Sequence, residues 1–289
     1  MSLGGSYNGL GLRVRDAARG ISFLRTSPSV SALVSVYAAS DWMEGCLEDL
    51  TSQSLFGQKE LEIIVVDANS PDGEEAVVRE FQDRHPGQIR YFRAKQKISL
   101  YAAWNKAIHL SRGKYLTSAN VDDKHSPEAL EMMAEELDRS PDTGLVYADQ
   151  WITENPEDSF SSHIPTLRWN WPSFDFSILQ RRCIIGPQPL WRRSLHYQFG
   201  MFDPNFRSAG DWDFWLRIGS HVKMKKIDSV LGLYFRNPEG LELGNPAAAK
   251  EVEIIRKRHA LDNISAEATI PVPVEIKRSN GKHPDQSSL

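Results

Sequence analysis

The run LEIIVV at residues 61–66 constrains the fold more than any other stretch of the chain. Successive side chains of a strand point to opposite faces, so a largely apolar run of this length needs cover on both sides. An α/β sheet with helices packed above and below meets that condition, whereas an antiparallel sheet with one wet face does not. The surroundings repeat the same logic. Residues 31–37, 89–93, 115–121 and 144–153 read as further strands, and helical periods fall between them. Ser40 can cap a helix whose Met43, Cys46, Leu47 and Leu50 share a face, and residues 73–84 place Val77 and Phe81 one turn apart. Leu100, Ala103, Trp104, Ala107 and Ile108 form the stripe of another helix. Ser126, Pro127 and Glu128 open one more, with Leu130, Met133, Ala134 and Leu137 inward. This alternation predicts an α/β sheet wound with right-handed crossovers. The second half is less regular and richer in Trp, Arg and Pro, with a helix expected near 211–218, strands near 223–234 and an end helix over 246–261.

Composition narrows the classes. With 289 residues, 40% hydrophobic and 25% charged, the chain reads as an ordinary globular protein, long enough for two small domains although the pattern requires one. Thirty-four basic residues against 38 acidic ones leave −4, which disfavours a nucleic-acid partner. Cys46 and Cys183 stand far apart outside any CxxC, so neither a disulfide framework nor a zinc site is expected, and a reduced, cytoplasmic setting fits. No apolar run approaches the roughly 18–20 residues needed to cross a bilayer.

The termini differ from the middle. Residues 1–29 read as a flexible arm with a charge of +3, four arginines (Arg13, Arg15, Arg19, Arg25) against Asp16. Leu10, Val14, Ala17, Ile21 and Leu24 fall at helical spacing, which would suit a peripheral contact with the anionic inner face of a membrane, although Gly9, Gly11 and Gly20 oppose a stable helix. Residues 263–289, with Pro271, Pro273 and Pro284 among polar neighbours, read as a disordered tail. The domain expected between them spans 30–262.

Ligands of open α/β sheets bind beyond the C-terminal strand ends, so acids placed there are the first candidates. Asp67 directly follows LEIIVV, and an acid at the end of a buried strand needs a partner; Asn69 to Gly73 beyond it has turn composition, with Asp72 able to cap a helix. At the second end, Asn120-Val121-Asp122-Asp123 sets two carboxylates side by side, which repel unless a cation or hydrogen bonds compensate. Hard oxygen donors of this kind suit Mg²⁺ or Mn²⁺ together with a phosphate, and the competing role is a helix cap by Asp123 or Ser126. His125 reads as a solvated loop residue.

The ordered blocks VSVYAASDWMEGCLEDLTSQS, EIIVVDANSPDG, YAAWNKAIHLSRGKYLTSANVDD and GDWDFWLR resemble family 2 glycosyltransferases over about residues 31–240. The resemblance implies a GT-A type fold, a Rossmann-like, mixed and mostly parallel sheet flanked by helices in a single domain. It also implies transfer of a sugar from a nucleotide diphosphate sugar to an acceptor hydroxyl, usually with inversion and with a divalent cation, Mn²⁺ or Mg²⁺. By position, Ser35, Tyr37, Asp67, Asn120 and Asp122 fall on the donor pocket, Asp122 and Asp123 on the metal motif, and Asp211 on the catalytic base. Asp213 is the rival for that base, since both acids also suit the first turn of a helix. Trp212, which with its neighbours could wall off water beside Asp211, Trp191, in an irregular Gly-Pro segment, and Asp213 are candidates for the acceptor wall or lid. The pairs Arg181-Arg182 and Arg192-Arg193 could hold a phosphate or lipid headgroup, or be solvated surface.

Ala68 stands where the family often has a second Asp on uracil, and Asn120 replaces the first acid of the metal motif, so the donor base stays open. The expectation is single-sugar addition to a glycan or lipid-linked acceptor in surface polysaccharide or glycolipid synthesis. The rivals are a sugar-phosphate nucleotidyltransferase, for which Val36-Tyr37-Ala38-Ala39 lacks a glycine-rich loop, a non-catalytic binding descendant, and a glycosidase.

Overall fold

In the computed structural model, which describes residues 27–238, 248–266 and 273–276, the LEIIVV run is a strand buried along its whole length. Ile64 and Val66 point into one apolar cluster, and Leu61, Ile63 and Val65 into the other. Each such side chain, fully withdrawn from water, contributes about 1.5–3 kcal/mol, which is why the run cannot tolerate a wet face.

The elements in chain order are β1 (Val30–Val36), α1 (Ser40–Thr51), α2 (Ser54–Gly57), β2 (Leu61–Asp67), α3 (Glu74–Arg84), β3 (Ile89–Arg93), α4 (Leu100–Leu110), β4 (Tyr115–Ser118) and β5 (Lys124–His125). There follow α5 (Ala129–Arg139), β6 (Thr143–Thr153), β7 (Leu167–Trp169), α6 (Phe176–Leu179), β8 (Leu190–Arg192), α7 (Leu195–Phe199), α8 (Gly210–Gly219), β9 (Lys223–Phe235), α9 (Ala248–Arg258) and β10 (Val274–Glu275). One mixed sheet runs β10-β7-β6-β8-β4-β1-β2-β3, with β9 paired to both β6 and β5. The long ladders β1–β2, β1–β4, β2–β3 and β6–β9 are parallel, and the short ones are antiparallel. Helices α1, α3 and α5 cover one face, while α4 and α8 cover the other with an aromatic cluster.

The differences from expectation lie mostly in the second half. Strand β8 is wedged antiparallel between β4 and β6, and a single strand β9 replaces the expected group near 223–234. β4 stops at Ser118, because beyond the Ala119 N–H bond to the Leu33 carbonyl the chain turns back on itself, Asp123 N–H meeting the Asn120 carbonyl. In α3 it is Val78, not Val77, that is fully buried with Phe81. The expected arm lies outside the described residues up to residue 26. The expected disordered tail is corrected in part: Val274–Glu275 pairs antiparallel with β7 at the sheet edge, and Ile264 packs against the core. Among the described residues, no helix is long and apolar enough to cross a membrane, and neither cysteine forms a disulfide.

Candidate active site

The candidate residues gather at one edge of the sheet because β1, β2 and β4 run parallel and end together. At the end of β1, Ser35 is half-buried and Tyr37 is exposed, with Lys97 Nζ 3.6 Å from its ring centroid. Asp67 closes β2 and is fully buried. Its carboxylate accepts hydrogen bonds from the Ser70 N–H, the Tyr91 hydroxyl and Arg93 Nη1, each at 2.6 Å, while Arg93 Nη2 donates to the Ser70 carbonyl. Burial and the bond to Asp67 push the Tyr91 hydroxyl upward. Asp67 thus has the partners that an acid at the end of a buried strand needs. Its own partners use the carboxylate, and half-exposed Arg93 and Tyr91 carry the site outward; they sit at register positions on β3 that no sequence spacing pairs with Asp67. The turn composition of 69–73 holds, with Asn69 at φ +67, but Asp72 caps nothing. Instead Ser70 Oγ and buried Glu74 tie this turn to the end of β1 through the Ala38 and Ala39 N–H groups.

The second cluster follows β4. Asn120 Nδ2 donates to Asp123 Oδ2 at 3.0 Å, the Phe235 N–H donates to Asp123 Oδ1 at 3.2 Å, and Asn237 Nδ2 donates to Asp122 at 3.2 Å. Asp123 is buried, and that burial followed by the adjacent Asp122 charge raises it well above the usual carboxylate range. Asp122 is only half-buried. Neither Asp123 nor Ser126 caps α5, whose N-cap position is Glu128. His125 is corrected from solvated to buried: its N–H and ring Nδ1 both meet Asp49 on α1, at 2.9 and 2.7 Å. Gln53 holds the Ser126 carbonyl and Gln188 the Lys124 carbonyl, so the acidic loop is fixed from α1, β9 and the β8 approach. Gly232 belongs to this fixing, because a Cβ there would stand 1.8 Å from Gln188 Oε1.

Among the described residues, no group of three or more His, Cys, Asp or Glu converges as a metal cage. Small divalent cations usually bind through one or two carboxylates plus substrate phosphates and water. Half-buried Asp122 suits that donor set, and a cation beside the pair would offset the Asp122 repulsion that, after burial, raises Asp123. Both Asp123 oxygens already accept hydrogen bonds, which leaves it as the buttress of the pair and not its foremost donor.

The third cluster lies in the first turn of α8. Tyr101, at the start of α4, donates its hydroxyl to Asp211 Oδ1 at 3.1 Å, and Gly210 allows it, since a Cβ would stand 2.8 Å from the Tyr101 ring. Burial, followed by the Asp211 charge, pushes the Tyr101 hydroxyl far upward, so it stays a donor. Asp213 differs in kind. It is fully buried against Arg217 (2.9 Å), Arg258 (3.1 Å) and His259 (3.0 Å). Burial alone would raise its pKa, but these cationic and hydrogen-bonding partners outweigh it and hold the carboxyl at about 2. Asp213 is thus a structural anion and not the rival base.

Both tryptophan expectations are corrected. Trp212 is buried with its indole N–H on the Leu179 carbonyl, at 2.8 Å. Trp191 is fully enclosed, donating to His196 Nε2 at 2.9 Å with its ring edge-on to Trp215. Neither offers a face to an acceptor; apolar α8 and β8 faces draw them into the core. Arg192 and Arg193 are likewise spent on backbone carbonyls, those of Thr143, Leu137 and Ser111.

Asp122 thus follows β4, and Asp211 is held by Tyr101 at the start of α4; the model of glycosyl transferase family 2 matches residues 31–206. The chain belongs to glycosyl transferase family 2. This family 2 chain is 24% identical to the chondroitin synthase of Escherichia coli over 207 residues, 72% of this chain and 29% of that protein. It is 23% identical to the hyaluronan synthase of Pasteurella multocida, covering 82% of this chain and 23% of that one. It thus spans less than a third of either relative. Among solved structures, the S. aureus TarS fragment in complex with UDP-GlcNAc matches with a TM-score of 0.65 at 16% identity, covering 83% of this chain and 68% of that one. The Pyrobaculum calidifontis mannosyltransferase in complex with GDP-Man and Mn²⁺ matches at 0.55 and 18%, covering 82% and 63%. The fold of the family 2 domain is GT-A.

Proposed function

We propose that the chain transfers a sugar, with inversion, from a nucleotide diphosphate sugar to an acceptor hydroxyl. The observation that carries this reading is the pair of acids Asp122, just beyond β4, and Asp211, at the head of α8 where the Tyr101 hydroxyl at the start of α4 donates to it. Asp122, buttressed by Asp123 and Asn120, would hold the divalent cation. When bound, that cation neutralises the charge that grows on the departing diphosphate. Tyr37 offers an exposed face, and Ser35 a hydroxyl, toward a nucleoside. Asp211 takes the acceptor proton as the new bond forms, with the Tyr101 hydroxyl orienting its carboxylate. The paired aromatic wall behind it, Trp212, Phe214 and Trp215, keeps water from that side of the base.

The relatives include chondroitin and hyaluronan synthases, which supports a role in building a surface polysaccharide or glycolipid. UDP-GlcNAc and GDP-Man, bound in the structural neighbours, are the first donors to test. Calorimetric titration with UDP, UDP-GlcNAc and GDP-Man, with and without Mn²⁺, should show metal-dependent binding of at least one, lost in Asp122→Asn with the circular dichroism spectrum unchanged. Metal-independent binding, or none across the panel, sinks the reading.

A further inference from the structure

Helix α9 lies beyond the matched family region, yet it grips α8 at two places. Glu251, buried at the front of α9, accepts through Oε1 from the Arg207 N–H (2.8 Å) and through Oε2 from the Ser208 N–H (3.0 Å), the Ser208 hydroxyl (3.2 Å) and the Ala209 N–H (3.1 Å). Those N–H groups belong to the turn that launches α8, whose N-cap residue Ala209 has no side chain able to cap it. Seven residues further along α9, Arg258 reaches Asp213, and His259 follows. Ile255, fully buried between these two grips, fixes the face of α9 that is turned inward.

We infer that Glu251 is a positioning residue for the transfer reaction: by capping the Arg207–Ala209 turn from a distant helix, it sets where Asp211 stands. The inference rests on Asp211 being the base. Four charge-assisted bonds to one short turn, two residues ahead of Asp211, fix the backbone that carries it. Misplacing a reacting group by about 1 Å costs on the order of a hundredfold in rate. The donor-side groups, Ser35, Tyr37 and Asp122, lie on or just beyond β1 and β4, whereas the described hydrogen bonds of Glu251 go to residues 207–209. The role therefore predicts loss of turnover without loss of nucleotide binding.

The test compares wild type, Glu251→Asp, Glu251→Ala, Ile255→Val and Asp211→Asn in the full chain. Turnover is read as slow hydrolysis of whichever of UDP-GlcNAc and GDP-Man binds with Mn²⁺. Glu251→Ala should lower kcat at least tenfold with KM changed less than twofold, and should speed hydrogen exchange at Arg207–Ala209. Glu251→Asp, which keeps the charge on a shorter arm, should fall between. Ile255→Val should lower Tm and leave kcat in place. If Asp211→Asn is inactive while Glu251→Ala keeps full kcat, or loses kcat and nucleotide affinity together, the inference is wrong. If Asp211→Asn itself turns over normally, the base assignment has failed instead. Should Glu251→Ala not fold, the graded Glu251→Asp carries the test, and an unchanged kcat there overturns the role.

Discussion

Exchanging one carboxylate for an amide at either of two positions in a single helical turn should separate stability from chemistry. Asp213 is fully buried and held at about 2, against an ordinary value of 3.8. At about 1.4 kcal/mol for each tenfold change in acidity, that depression amounts to about 2 kcal/mol of folding stability. Asp213→Asn removes it and leaves Arg217 and Arg258 facing a neutral group. Both guanidiniums keep contact with water, at 31% and 42% exposure, so the total loss should be about 2–3 kcal/mol, less than for a fully enclosed pair. For a domain of this size that lowers Tm by about 5–10 °C. Because the folded carboxyl is the stronger acid, its contribution is complete above pH 4 and disappears as the pH falls from there through about 2. The gap between wild type and variant should therefore close over that window. Asp211→Asn should behave oppositely, with a smaller loss of Tm than Asp213→Asn, since the amide oxygen still accepts from Tyr101, and with turnover reduced about 10²–10⁴-fold. Thermal denaturation from pH 7 down to about 2, beside donor turnover at about 20 °C, reads both. Normal turnover in Asp211→Asn, or a dead but fully stable Asp213→Asn, would refute the division of labour.

Three further outcomes follow from the core. Burial holds the His196 imidazole down at about 4, and the Trp191 indole donating to Nε2 leaves Nδ1–H to donate to the Gly200 carbonyl. The unfolded chain takes up that proton first, so acidification from 6.5 toward 4 should cost about 3 kcal/mol, and the His196 ring proton resonance should not titrate above pH 5. Trp191→Phe leaves His196 Nε2 without its donor and should cost about 1–3 kcal/mol in chemical denaturation with turnover intact; lost turnover at unchanged stability would return Trp191 to the acceptor surface. Gly232→Ala drives a methyl into Gln188 and displaces the support of the Lys124 carbonyl, so Mn²⁺-dependent nucleotide affinity should weaken at least threefold; unchanged affinity would show that the acidic loop does not depend on this contact.

Periodicity carries information about which face a residue turns and where a strand ends, and the first half of the chain was legible for that reason. LEIIVV required cover on both faces and received it, and the acids at the ends of β2 and β4 stand at the edge where ligands of such sheets bind. Pairings between residues far apart were not legible. Tyr91 and Arg93 reach Asp67 across a strand register, Tyr101 reaches Asp211 over 110 positions, and Asp49 encloses His125 from a helix 76 residues earlier. Trp191 and Trp212 misled because a tryptophan, in an irregular segment or in a helix, has the same letter whether its ring is buried or exposed.

By itself, then, the sequence determined the layered α/β architecture, the family and the three acidic neighbourhoods, because each is written in local spacing and residue type. Tertiary structure alone decided what each acid does. Three carboxylates meet at the head of α8: Glu251 caps a turn, Asp213 is neutralised by cations, and Asp211 faces the Tyr101 hydroxyl. A carboxylate's role is fixed by the donors and charges within a few ångströms of it, and those arrive from distant segments only when the chain has folded.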